Sequence, residues 1–138
     1  MTHEIIQLMQ HLRLPGMRAA YEGIISAKNM QSISNDELLN LILQAELQER
    51  ENQKAGRRLS NAKFRLQASM EEIDYISSRG IDKTRLLRLS DGSFIRSADN
   101  VLITGPTGVG KSYIATALGH QACQLGYKVN YFNAQKLF

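Results

Sequence analysis

The chain has 138 residues, 43% apolar and 22% charged, with a formal net charge of +4. That is ordinary single-domain size, enough to bury a real core, and the balance is that of a soluble globular protein. No apolar run approaches a membrane span and no basic-then-apolar signal opens the chain, so a cytoplasmic location is expected. Cys123 is alone, which excludes an internal disulfide, and its expected role is that of a small buried hydrophobe.

Thr2 is placed to cap a first helix, with Glu4 near its positive end. Ile5, Leu8, Met9 and Leu12 fall at helical spacing, and Pro15-Gly16 breaks the pattern. Met17, Ala20, Tyr21, Ile24 and Ile25 carry it on to about Ala27, as core packing. Ser34-Asn35-Asp36-Glu37 is a capping box, with Ser at the cap and Glu three residues later. The helix it opens presents Leu38, Leu39, Ile42, Leu43 and Leu47 on an apolar face. From Gln48 to Arg58 the sequence is almost wholly polar, as in a helix that faces solvent or a partner. The basic residues Lys54, Arg57, Arg58, Lys63 and Arg65 suit a nucleic-acid backbone. From composition alone, a solvated charged face is an equal reading.

Between 66 and 100 the pattern weakens. Residues 70–76 fit either a helix or an irregular connector. Gly80 marks a break, Asp82 is a candidate cap for a short helix through Leu86, Leu87 and Leu89, and Asp91-Gly92 is a turn signal. A base-binding pocket upstream of the next motif would lie in this stretch. Val101-Leu102-Ile103-Thr104 then reads as a short buried strand. It runs into Gly105-Pro106-Thr107-Gly108-Val109-Gly110-Lys111-Ser112, which fits G-x-x-x-x-G-K-[S/T], the Walker A phosphate loop. Ile114, Leu118, Ala122 and Leu125 share one side of the helix that follows, and Gly126 is placed to end it. Residues 127–132 alternate like a second strand, and a further element begins at Asn133. His3, His11 and His120 are scattered, without metal-ligand spacing.

Each residue type in the phosphate loop has a chemical reason. Glycines let the backbone curl so that several N–H groups point at one anion. Pro106 fixes a backbone angle where no donated bond is needed. The helix N-terminus adds unpaired donors and the positive end of its dipole. Lys111 would reach the β- and γ-phosphates of ATP, and Ser112 would offer its hydroxyl to Mg²⁺. Charge distribution agrees: residues 101–138 hold three lysines and no Asp or Glu. A Gly-rich turn that binds nothing is the competing reading, and the strand-then-helix context argues against it. Strand, loop, helix and strand together predict an α/β fold: the opening βαβ unit of a parallel sheet.

Taken end to end, the chain resembles the IstB family of insertion-sequence helper ATPases, which are AAA+ proteins related to the helicase loader DnaC. The resemblance rests on Leu12-Arg13-Leu14-Pro15-Gly16-Met17, the run from Leu43 to Asn52, Arg57-Arg58-Leu59, Ala62-Lys63-Phe64, the stretch from Asn100 through the phosphate loop, and Gly126-Tyr127-Lys128-Val129. It implies a helical N-terminal domain over 1–65 that meets DNA or a partner, then the N-terminal part of an AAA+ P-loop domain over 66–138. It also implies ATP and Mg²⁺ as ligands, and DNA, a transposase and further copies of the chain as partners.

The family's Walker B strand, sensor residues and arginine finger would follow the second strand, and no carboxylate side chain lies beyond Asp99. The expectation is therefore an incomplete sheet in a truncated family member that binds ATP rather than hydrolysing it. Such a sheet exposes an edge and apolar surface, which predicts marginal stability or self-association. Two alternatives stand beside this reading: a helicase-loader-like replication protein, and a DNA- or partner-binding helical module whose P-loop is a vestige. A small-molecule P-loop kinase fits less well, because about a hundred residues precede the loop.

Overall fold

A computed structural model describes residues 1–28, 32–73, 82–106 and 110–137, with side chains through 135. Within it the chain gathers into two compact units, Met1–Lys54 and Ala55–Phe138. Seven helices are present among the described residues: α1 (Thr2–His11), α2 (Pro15–Ser26), α3 (Asn35–Ala62), α4 (Lys83–Leu89), α5 (Ser93–Arg96), α6 (Lys111–Gln124) and α7 (Ala134–Leu137). A 3₁₀ turn spans Met70–Glu72. No described helix is long and apolar enough to cross a membrane.

The first unit is built from α1, α2 and the start of α3. Met9, Tyr21 and Ile42 are buried at its centre, with Ile5, Leu14, Met17, Ile24, Ile25 and Leu38 packed around them. Each such buried side chain contributes roughly 2 kcal/mol by leaving water. The expected apolar faces are only partly covered. Leu8 on α1 and Leu12 at its C-cap stay exposed, as do Leu39, Leu43 and Leu47 on α3.

Chain reversals in this unit are made locally. Met1, not Thr2, is the N-cap of α1, and no side chain caps it; Thr2 is already helical. α1 ends with Arg13 in the left-handed region at φ 58°. Leu14 N–H donates to the Met9 carbonyl at 2.9 Å and Arg13 N–H to Gln10 at 3.1 Å. That is a Schellman pair closing the helix. The break therefore lies at 12–14, while Pro15 opens α2 at a position where a missing N–H costs nothing.

Gly16 sits against α3: a Cβ there would lie 2.6 Å from the Ala45 carbonyl oxygen and 2.8 Å from Glu46 Cα. Beside it the buried Glu46 carboxylate accepts the Met17 N–H at 3.0 Å, an orphan donor of α2's first turn. The capping box forms as read. Ser34 N–H donates to Glu37 Oε2 at 3.0 Å, and Glu37 N–H to Ser34 Oγ at 3.2 Å.

The second unit centres on α6, whose Ile114, Ala117 and Leu118 pack with Ala68, Met70, Ile73 and Leu86. Asp82 caps α4, accepting Thr84 N–H at 2.9 Å. At the next turn Asp91 accepts Ser93 N–H at 2.8 Å. That bond, with a smaller contribution from Arg96, holds the exposed carboxyl below its ordinary pKa. Gly126 ends α6 at φ 102°, with Tyr127 N–H on the Ala122 carbonyl and Gly126 N–H on Cys123, a second Schellman closure. Gly80 and residues 74–76 lie outside the described residues.

The two segments read as strands, 101–104 and 127–132, form no strand among the described residues. Their burial still alternates: Val101, Ile103, Tyr127, Val129 and Tyr131 are half-buried, while Leu102, Thr104, Lys128, Asn130 and Phe132 are exposed. A strand is defined by its ladder, and neither segment has a ladder partner among the described residues. Instead both flank a cleft of about 460 Å³ floored by Ala115, Leu118, Gly119 and Ala122 of α6. The side-chain half of the strand pattern is thus present, and the hydrogen-bonded half is not.

Candidate phosphate-binding site

The phosphate-loop residues close on the N-terminus of α6. Gly110 is the N-cap in a left-handed conformation, φ 89°, which an L side chain would resist. Lys111 and Ser112 are the first two residues of the helix, and its first turn holds no acidic residue. The first-turn N–H groups are thus unpaired within the helix and carry the positive end of its dipole. Thr107, Gly108 and Val109 lie outside the described residues. Across the loop, the Lys111 ammonium donates to the Gly105 carbonyl, joining the loop's two ends. Pro106 is exposed beside it.

Two further contacts surround this turn. Thr116, almost fully buried, donates from Oγ1 to the Ser112 carbonyl at 2.8 Å, one turn back along α6. The Ser112 hydroxyl, by contrast, is on an exposed residue. Tyr113 donates its phenol O–H to Glu72 Oε2 at 3.2 Å, tying the first turn of α6 to the 3₁₀ turn at Met70–Glu72. Residues 101–138 carry no carboxylate in sequence, yet folding brings the Glu72 carboxylate onto Tyr113 in the first turn of α6. The i, i+4 spacing of Ser112 and Thr116 was a usable signal. The 41-residue gap between Glu72 and Tyr113 was not.

Beyond that turn α6 is held by the segment that follows α3. A Cβ on Gly119 would meet the Phe64 ring at 2.7 Å, so the missing side chain leaves room for that ring. Phe64 also meets Tyr131 edge-on, centroids 6.1 Å apart, and Tyr131 N–H donates to the Ala62 carbonyl at 2.9 Å. Cys123 is fully buried, as expected. Burial pushes its thiol pKa up, and the nearby Arg58 cation opposes that only in part.

The basic residues divide between the two units. Lys54 belongs to the first unit, where it lies 3.7 Å from Glu51. In the second unit, Arg58 donates from Nε to the Cys123 carbonyl at 2.7 Å and so serves the fold. Arg57 is exposed on α3. Lys63, left-handed at φ 55°, and Arg65 border a cleft of about 660 Å³ with Glu72, Thr116 and His120.

A glycine-capped helix with a lysine at its first position, following a G-x-x-x-x-G-K-S loop, defines the P-loop class of phosphate-binding element. Comparison with known proteins narrows the class. Residues 7–138 match the family model described as IstB-like ATP binding protein, and the chain belongs to that family. It is 38% identical over 138 residues to the putative insertion sequence ATP-binding protein y4pL of Sinorhizobium fredii, covering all of this chain and 56% of that one. It is also 38% identical to the putative ATP-binding protein of insertion sequence IS1162 from Pseudomonas fluorescens, covering 99% of this chain and 60% of that one. Identity to the putative ATP-binding protein of insertion sequence IS21 from Pseudomonas aeruginosa is 27% over 135 residues, 98% of this chain and 51% of that one. The chain thus spans little more than half the length of these relatives.

Proposed function

We propose that this chain is the ATP-binding portion of a DNA transposition helper ATPase, one that assembles on DNA and assists a transposase. The observation that carries the reading is the G-x-x-x-x-G-K-S loop at the N-terminus of α6, in a chain whose relatives are named as insertion sequence ATP-binding proteins. In this reading the residues Gly105, Pro106, Thr107, Gly108, Val109, Gly110, Lys111 and Ser112 wrap the phosphates. Lys111 would exchange the Gly105 carbonyl for β- and γ-phosphate oxygens, an anionic acceptor in place of a neutral one for the same cationic donor. The donor set fits a polyphosphate: unpaired helix N–H groups, one ammonium, and no acidic residue in the first turn. For Mg²⁺ the protein offers the Ser112 hydroxyl, with nucleotide oxygens and water completing the shell.

The helical region 1–65 takes the DNA- or partner-facing role, and 66–138 the nucleotide role. Among the basic residues, Arg57, Lys63 and Arg65 are the better candidates for DNA phosphates, since Arg58 is occupied by the Cys123 carbonyl. DNA retention by the whole chain should rise with Mg²⁺-ATP and lose that dependence in Lys111→Ala. Equal retention by both proteins, with or without ATP, would favour a helical DNA-binding module with an idle loop. Capture of a replicative helicase in place of a transposase would favour the helicase-loader reading.

A further inference from the structure

In the second unit the segments 101–104 and 127–132 both lie on α6 without pairing with each other. Ile103 packs against the cluster that holds Leu118, and Val129 Cγ1 lies 3.6 Å from where a Cβ on Gly119 would stand. Both segments border the cleft of about 460 Å³, with Ala115 exposed on its floor.

The backbone along this cleft is short of partners. Tyr127 N–H donates to the Ala122 carbonyl at 3.0 Å, and Tyr131 N–H to the Ala62 carbonyl at 2.9 Å. In a segment of period two, N–H groups two residues apart share an edge, so those of Lys128, Asn130 and Phe132 belong to the other edge. Among the described residues, none of these three, nor any N–H from Val101 to Thr104, meets a backbone acceptor. Val101-Leu102-Ile103 is also apolar on both faces, with Leu102 90% exposed. A run apolar on both faces, with free donors beside it, has the character of an inner strand of a sheet. A small apolar ligand would fill the cleft and leave the donors unpaired. An extended polypeptide satisfies both needs at once.

We propose that this cleft is a docking groove for a β-strand from a second, different polypeptide, one that carries the part of an IstB-like protein this chain does not match. The bound strand lies along 101–104 and 127–132, takes up their free N–H groups, and lays alternate side chains on Ala115 and Gly119. A longer side chain at either position would fill the groove. Relatives such as y4pL, of which this chain covers 56%, hold the further sequence in one chain. Here it docks from outside. The inference rests on the second unit alone and stands whether or not the phosphate loop binds nucleotide.

The test is co-expression of the whole chain with the part of y4pL outside the match, followed by co-purification and backbone hydrogen exchange. A complex is expected in which exchange at 101–104, Lys128 and Asn130 slows roughly ten-fold or more. Ala115→Arg, at an exposed position, should keep the helical content of the free chain and weaken the complex about a hundred-fold by filling the groove. Asn130→Pro removes a donor that the free chain does not use, and should weaken the complex about five-fold. Failure to form a complex would overturn the proposal, as would one that forms equally well with Ala115→Arg. So would slowing at these amides that grows with the concentration of the unaccompanied chain, since a second copy would then fill the groove.

Discussion

The two compact units differ in how far their backbones are satisfied from within. In the first, every described chain reversal is closed by neighbours in sequence or by one nearby helix: the Schellman pair at Arg13, the capping box at Ser34, the Glu46 carboxylate on Met17. In the second, α6 is well seated, but 101–104 and 127–132 keep only the alternation of buried and exposed side chains. A helix makes its hydrogen bonds within a few residues, so an isolated stretch can specify it. A strand needs a second strand, and alternation alone supplies none.

Gly16→Ala strikes the first unit where its packing is tightest and carries the largest expected effect. The new methyl would press on the Ala45 carbonyl and Glu46 Cα, backbone atoms that cannot swing aside. A loss of about 3 kcal/mol is expected, read as a lower denaturant midpoint. A neutral result would mean that α2 and α3 are looser than described. Ser34→Ala removes one half of the capping box and should cost about 1 kcal/mol by the same measurement. If the local devices are as independent as they look, the effects of Ser34→Ala and Arg13→Gly should add.

Arg13→Gly runs the other way. The residue is already left-handed, so glycine relieves the strain of a side chain there, and a gain of about 0.5–1 kcal/mol is expected. A loss instead would show that the Arg13 side chain makes a contact worth more than the strain. The smallest effect belongs to the second unit. Burial raises the Cys123 pKa in the fold, so the unfolded chain ionises first, near the ordinary thiol value of 9.0. Stability from this group is complete below that pH and is lost as pH rises through the folded pKa. Above about pH 9 the melting temperature should therefore fall more steeply for the native chain than for Cys123→Ala. Parallel curves would mean that the thiol is not sequestered.

Much of this was legible in the sequence because it was local. Ser34 and Glu37 are three residues apart and bond as the pattern says; Asp82, Gly126 and Cys123 also fall where read. Two runs that supported the family resemblance, Leu12 to Met17 and Leu43 to Asn52, turn out to meet through Gly16, Met17 and Glu46. A third, Ala62-Lys63-Phe64, reaches α6 at Gly119. Sequence showed these as separate words, and only folding shows why they go together. What stayed hidden depends on long separations: Glu72 with Tyr113, and Arg58 with the Cys123 carbonyl. The apolar face of α3 was overestimated for a related reason, since periodicity finds a stripe but not the width its neighbours cover.

Mg²⁺-ATP binding by calorimetry, with Lys111→Ala alongside, decides whether residues 105–112 form a phosphate site. A formed P-loop gives saturable binding by the native chain that is lost in the variant, because the ammonium is the one cationic side chain in the first turn of α6. Equal binding by both proteins would place the nucleotide elsewhere. No binding by either would contradict the assignment of residues 105–112 as a working phosphate site.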